Sequence, residues 1–279
     1  MSAKQHHQNK AGWSLGQRDP QFIKLMMPLW EWLYKNYFFV QTSGWETIPE
    51  GKVLFVGSHN GGLAAPDMLM TIYDWFRYVG FERPIYGLMH PNGWQFHPQI
   101  STMAAKTGAI IAHPKMAYAA FDSGASVLVY PGGAQDVFRL HSLRHQIYLA
   151  ERKGFIKLAL RQEVPIVPVI SVGAHDTLFV LADIYKFIEQ LHSWGMPWIF
   201  GLDPEVFPIY LGLPWGIAFG PLPNIPLPTT VHTRICPQIT FDRYGVEAAK
   251  DKVYVDKCYE IVVGKMQYEL DKLVEEAQL

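Results

Sequence analysis

At 279 residues the chain can bury one large core or two small ones, and its formal net charge of −1 excludes the basic balance that nucleic acid or a polyanionic surface selects. Charged residues make up only 18% of the chain and aromatic residues 14%, including nine Trp, which implies a large apolar surface: a lipid-sized pocket, a membrane face or an oligomer interface. Two cysteines, Cys236 and Cys258, are too few for a disulfide framework and leave a reduced compartment as the default.

The first ten residues are polar, carry His6-His7 and lack the apolar run of a signal peptide; residues 1–19 are expected to be a disordered start. Residues 20–37 place Phe22, Leu25, Met26, Leu29, Trp30 and Leu33, with Phe38 beyond, near one helical stripe, so an N-terminal amphipathic helix either packs on the core or lies in a membrane interface. Lys24, Glu31 and Lys35 argue against a spanning helix there. Residues 38–49 read as strand then turn, and 53–57 as a short buried strand that stops at Gly57-Ser58 and delivers His59 into a Gly61-Gly62 loop. Pro66 suits the first turn of a helix running to about 79, with Leu69, Ile72, Phe76 and Val79 inward. Asp67, Asp74 and Arg77 fall near the opposite face, so a solvated helix-start role for Asp67 stands beside a functional one.

Strands are expected at 85–90, 107–112, 126–130 and 165–171, and helices up to 106 and over 114–122, 144–161 and 177–194. This alternation predicts an α/β fold with a largely parallel sheet and helices on both faces, where ligands gather at the carboxyl ends of strands. Residues 192–228 are rich in aromatics (Trp194, Trp198, Phe200, Phe207, Tyr210, Trp215, Phe219), which suits an acyl tunnel, a bilayer face or ordinary core. Residues 206–233 contain no Asp, Glu, Lys or Arg, but six prolines exclude one spanning helix. A strand at 231–241 and a helix at 246–276 close a single domain, 20–279.

No Gly-x-Ser-x-Gly elbow, Gly-x-Gly-x-x-Gly or Walker sequence is present, and neither cysteine sits in a strand-to-helix turn. His141 and His145 share a helix-compatible spacing but lack the glutamate of a zinc helix, and His90 and His97 have no diagnostic spacing, so no metal site is assigned. What remains is a histidine without a covalent partner. A neutral imidazole can take a proton from a hydroxyl as that oxygen attacks an activated acyl group, with a carboxylate holding its tautomer. His59 and Asp67 are the candidates.

The stretch Ser58-His59 with Asp67 resembles the first signature of the glycerolipid, or lysophospholipid, acyltransferase superfamily, which is Asn-His, four residues, Asp. It departs by Ser for Asn and by seven intervening residues. Gly108 to Lys115 resembles the second block, Val129-Tyr130-Pro131-Gly132-Gly133-Ala134-Gln135-Asp136 the third, and Val164-Pro165-Ile166-Val167-Pro168-Val169 the fourth. The resemblance covers about 45–180. In members that acylate lysophosphatidic acid, a Glu and an Arg of the third block are associated with the glycerol phosphate. Here Gly132 takes the Glu position and the neighbouring Arg is missing, as in the diacylglycerol acyltransferase and phytyl ester synthase branch, whose acceptors are neutral alcohols.

The resemblance implies a glycerol-phosphate-acyltransferase-like fold and an O-acyltransferase of glycerolipid or phospholipid biosynthesis, moving a fatty acyl group from acyl-CoA or an acyl carrier protein to a lipid hydroxyl such as diacylglycerol or a long-chain alcohol. It requires no cofactor, and implies a peripheral or monotopic enzyme on the cytoplasmic or stroma-like side of a membrane. His59 would be the base and Asp67 its orienting carboxylate. Gly61, Gly62, Pro131, Gly132, Gly133 and Asp136 would shape the substrate site, with Lys115 and Arg139 meeting phosphates. The rival readings are a lysophosphatidic acid acyltransferase, a non-catalytic acyl-lipid carrier and a thioesterase.

Overall fold

The structure is a computed structural model that describes residues 11–95, 97–198, 201 and 203–277. In chain order the elements are α1 (Pro20–Trp32, continued by a π-helical turn, Leu33–Tyr37), β1 (Gln41–Ser43), β2 (Leu54–Gly57), α2 (Pro66–Tyr78), β3 (Ile85–Met89), α3 (Pro98–Lys106), β4 (Ala109–Ile111) and α4 (Pro114–Asp122). They continue with β5 (Ser126–Val129), α5 (Gly133–Val137), α6 (Gly154–Gln162), β6 (Ile166–Val172), β7 (Phe179–Asp183), α7 (Tyr185–Ser193), β8 (Pro208–Gly212), β9 (Gly216–Phe219), β10 (His232–Ile235), α8 (Val246–Lys250) and α9 (Lys252–Glu276).

Proline opens four of the helices at Pro20, Pro66, Pro98 and Pro114, where its missing N–H costs nothing and its fixed φ is already helical. Asp19, His97 and His113 cap three of these by accepting main-chain hydrogen bonds, which gives the two histidines a structural role.

The main sheet has the order β1-β10-β6-β2-β5-β3-β4. The run β6-β2-β5-β3-β4 is parallel, and β10 joins β6 in the antiparallel sense with β1 beside it. Alternate residues of each strand serve opposite cores. Leu54 and Val56 pack with Val127, Ile166 and Ile170 against α4, α6 and α9, while Val53 and Phe55 pack with Leu128 and Val167 against α1 and α2. The expected α/β architecture, with helices on both faces of a largely parallel sheet, is therefore present. A second sheet, β7-β8-β9, is antiparallel. Its inner face (Val180, Tyr210, Ala218) packs on Val137 and Phe138, while Phe179, Leu181, Leu211, Ile217 and Phe219 of the outer face are exposed.

Several boundaries differ from the sequence expectation. Residues 1–10 lie outside the described residues, but 11–19 belong to the fold: the carbonyl of Gly12 accepts from Ile111 and the amide of Asp19 donates to Lys106. The stripe on α1 is divided, because Trp30 is buried whereas Leu25 and Leu29 are exposed; Ile23, Tyr34 and Phe38 complete the buried side. The expected helix 144–161 begins only at Gly154, since the preceding segment takes left-handed conformations at Ala150 and Glu151 and ties Ile147 and His145 to Gln267 of α9. The expected helix 177–194 is a strand followed by a helix: Phe179 and Leu181 alternate with buried Val180 because β8 supplies a pairing edge. The expected strand 231–241 is reduced to β10. The last helix is interrupted at Asp251, whose carboxylate caps α9 through the Tyr254 amide.

Candidate functional site

Strand β2 lies between β5 and β6 in parallel register, so His59, Pro131 and Ala174 leave neighbouring strands on the same side. The loop after His59 folds back on itself through Gly61, at φ +85. A Cβ there would stand 2.6 Å from Pro66 Cδ and 2.8 Å from the Ala174 carbonyl oxygen, so only glycine fits. That reversal brings the first turn of α2 beside the imidazole. Asp67 Oδ2 lies 3.3 Å from His59 Nδ1 and accepts the Asn60 amide at 2.8 Å. Asp67 is 2% exposed, which removes the solvated helix-start reading. Across the enlarged loop, the carboxylate reaches the histidine.

With Nδ1–H assigned as donor to Asp67, the proton-free nitrogen is Nε2. Among the described residues it has no hydrogen-bond partner and is not among the enclosed polar atoms, so it opens to solvent, while the His59 side chain as a whole is only 16% accessible. The ring of Tyr130 packs on the imidazole at 4.4 Å between centroids. Burial, with the charge of Asp67 in second place, pushes the Tyr130 phenol well above its ordinary range, so it stays neutral.

Behind the imidazole, Asp136 and Arg139 hold the main chain. Asp136 is fully buried and accepts the His59 amide hydrogen and the Ser58 hydroxyl. Arg139 donates to the His59 carbonyl at 2.7 Å, to Asp136 Oδ1 at 2.8 Å, to Asn60 Oδ1 at 2.5 Å and to the Arg144 carbonyl at 2.9 Å. Burial raises the Asp136 carboxyl to about 6 against the opposing charge of Arg139. Behind Arg139, the His175 imidazole contacts its carbonyl at 2.9 Å and is pushed down to about 3, chiefly by burial.

The expected substrate contacts therefore change. Arg139 is buried with its donors spent on the protein, so it cannot clasp a substrate phosphate, and Asp136 is a support for His59 and not a lining group. Lys115 is exposed after β4, the third strand from β2 and about 14 Å across the sheet at 4.8 Å per strand, and is not brought to His59. Gly61 and Gly62 are buried and packed: Asn224 Nδ2 donates to the Gly61 carbonyl at 3.2 Å, and a Cβ on Gly62 would strike the Asn224 side chain. Gly132 is needed for close approach, because a Cβ there would lie 2.3 Å from Asp136 Cβ and 2.4 Å from the Tyr148 carbonyl oxygen. The Gly133 amide donates to Tyr130 O at 3.3 Å, closing a turn. Pro131 is buried and Gly133 half-buried in that turn.

Sequence reasoning missed Asn60, Tyr130 and His175. Asn60 and Tyr130 adjoin motif residues, but their contacts span about seventy residues or more, as in the Arg139–Asn60 bond, and no local pattern encodes them. Among the described residues no group of three or more His, Cys, Asp or Glu is placed to hold a metal.

The profile of the family described as "Diacylglycerol acyltransferase" matches residues 16–197. The chain belongs to the diacylglycerol acyltransferase family. That match contains the whole His59–Asp67 loop, the Asp136–Arg139 support and both sheet edges around them. An uncharacterized protein of Mycobacterium tuberculosis is 29% identical over 212 residues, covering 72% of this chain and 57% of that protein. Human diacylglycerol O-acyltransferase 2 is 34% identical over 74 residues, covering 26% of this chain and 17% of the human one. The chain thus spans about 57% of the length of the mycobacterial relative. Among solved structures, the 1-acyl-sn-glycerophosphate acyltransferase PlsC of Thermotoga maritima gives a TM-score of 0.49 at 14% identity, covering 91% of this chain and 78% of that one.

Proposed function

We propose that this diacylglycerol acyltransferase family member moves a fatty acyl group from a thioester, acyl-CoA or an acyl carrier protein, to the hydroxyl of a neutral lipid. The observation that carries the reading is the buried Asp67 carboxylate on Nδ1 of a histidine whose Nε2 is open. Nε2 takes the proton of the acceptor hydroxyl as its oxygen attacks the thioester carbonyl, and Asp67 stabilises the resulting imidazolium. The tetrahedral adduct then expels the thiolate: a C–O bond has formed, the C–S bond breaks, and the imidazolium proton passes to sulfur.

A neutral acceptor is favoured because Arg139, the guanidinium that follows the third block, is committed to the His59 and Arg144 carbonyls and to Asp136. Membrane association is proposed through the outer face of β7-β8-β9. Phe179 pairs across strands with Leu211, Leu211 with Ile217 and Ile209 with Phe219, which leaves an apolar face continuous with a groove of about 200 Å³ lined by Phe179, Leu211, Leu213 and Leu227. It borders the site, since the following segment carries Asn224 into the Gly61 loop. No described helix is long and apolar enough to cross a membrane.

Transfer of a radiolabelled acyl group by wild type and His59→Ala tests the reading, with diacylglycerol, a long-chain alcohol and lysophosphatidic acid as acceptors. Transfer to the neutral acceptors, abolished in a normally folded His59→Ala, is expected. Near-normal transfer by that variant would sink the proposal.

A further inference from the structure

Outside the His59 pair, a second guanidinium stands on the turn that follows Tyr130. Arg152 Nη1 donates to the Pro131 carbonyl at 3.3 Å, and a Cβ on Gly133 would lie 2.6 Å from the same nitrogen. The turn it rests on runs back to Tyr130, whose ring packs on His59; the Cα atoms at the two ends of such a turn lie within about 7 Å. Arg152 thus rests on the turn that starts at the residue packed on the imidazole.

Its other edge meets an anion from within the chain. Arg152 Nη2 is 2.5 Å from Glu205 Oε2, and His90 Nε2, after β3, is 3.7 Å from Glu205 Oε1. The contrast with Arg139 is in accessibility. Arg139 is 4% accessible and bound on every side, whereas the side chains of Arg152 and Glu205 are 37% and 32% accessible. An ion pair this exposed contributes little and exchanges readily. Glu205 also adopts φ +61, a left-handed conformation uncommon outside glycine, on a segment that reaches over from the β8 side. A guanidinium fork and an imidazole converging on one replaceable carboxylate form the donor set that recognises a phosphate.

We infer that Arg152, with His90 beside it, binds a phosphate group of a substrate, and that Glu205 fills this place as a competing carboxylate in the free protein. The inference rests on the acyl-transfer reading for its ligand. A CoA or phosphopantetheine thioester carries phosphate at the far end of its pantetheine arm, and lysophosphatidic acid carries one on its glycerol. Both present the same oxyanions to Arg152.

Steady-state kinetics of the full chain separate the sources. Arg152→Ala, Arg152→Lys and Glu205→Gln are compared using acyl-CoA or acyl-N-acetylcysteamine as donor and diacylglycerol or lysophosphatidic acid as acceptor, and calorimetry follows the binding of CoA itself. Arg152→Ala is expected to raise KM by about tenfold or more for the phosphate-bearing partner only, with kcat nearly kept and Arg152→Lys in between. Glu205→Gln is expected to lower that KM. Loss confined to acyl-CoA assigns the phosphate to the donor, and loss confined to lysophosphatidic acid assigns it to the acceptor. Equal loss with the phosphate-free pair, or a higher phosphate-partner KM in Glu205→Gln, would overturn the inference. Wild type that transfers from no donor would defeat the acyl-transfer reading instead, while the CoA titration still decides whether Arg152 and Glu205 oppose each other in binding.

Discussion

The guanidinium of Arg139 donates to the main-chain oxygen of His59 at 2.7 Å, and its ion-pair partner Asp136 accepts the amide hydrogen of the same residue. The candidate base is therefore gripped on both sides of its own peptide unit by one buried pair. Removing one member of such a pair leaves an uncompensated buried charge, which costs about 3–5 kcal/mol. Arg139→Ala should lower Tm by roughly 10 °C, read by differential scanning calorimetry. Arg139→Lys should recover only part of the loss, because an ammonium cannot reach the His59, Asn60 and Arg144 acceptors together. An unchanged Tm in the alanine variant would show that the grip contributes nothing.

Asp67→Asn keeps the shape of the side chain but removes the charge facing the imidazolium. Acyl transfer should fall by about 10²- to 10⁴-fold in kcat, with circular dichroism unchanged. A loss under threefold would reassign Asp67 to loop structure, through its bond to the Asn60 amide.

Stability should respond to pH through two buried groups of opposite sign. His175 is held down to about 3 from an ordinary 6.5, so the unfolded chain binds the proton first. Its contribution is present above about pH 6.5 and is lost as pH falls toward 3. Asp136 is raised from 3.8 to about 6, so the folded protein holds that proton more tightly; this contribution is present below about pH 3.8 and is lost as pH rises through 6. In thermal melts across pH 3–7, His175→Gln should flatten the acid limb, and Asp136→Asn should steepen it between about 4 and 6. Parallel curves for wild type and His175→Gln would contradict the assignment.

The outer face of β7-β8-β9 gives a prediction independent of catalysis. Exchanging Ile217 and Phe219, both exposed, for Ser should weaken flotation with phosphatidylcholine vesicles by at least about tenfold. Transfer between water-soluble short-chain substrates should be preserved. Equal flotation of the variant would place any membrane contact elsewhere, for example at Leu25 and Leu29 of α1.

Local chemistry accounts for the parts of the fold that were legible in the chain. The apolar run ending at Gly57, the prolines opening α2 and α4, and the Pro131-Gly132-Gly133 turn each mark an element by the conformations they allow. Residues 179–183 misled because a run of four apolar residues, Phe179 to Ala182, suits either period until β8 provides the partner edge. Residues 144–153 misled because their conformation is set by Gln267, more than a hundred residues away.

The same division runs through the site. From the sequence alone came the α/β alternation, the histidine at a strand end, the carboxylate near a helix start and the four blocks that resemble the superfamily, because each is written in neighbouring residues. Only the tertiary structure decided what the charged groups do. Folding buries Asp67 against Nδ1, consumes Arg139 and Asp136 in holding His59, carries Lys115 to the far strand of the sheet and leaves Arg152 half-buried on the turn after Tyr130. The physical reason is that a charge's role depends on its desolvation and on partners that the packing of distant segments supplies, and neither is encoded in local periodicity.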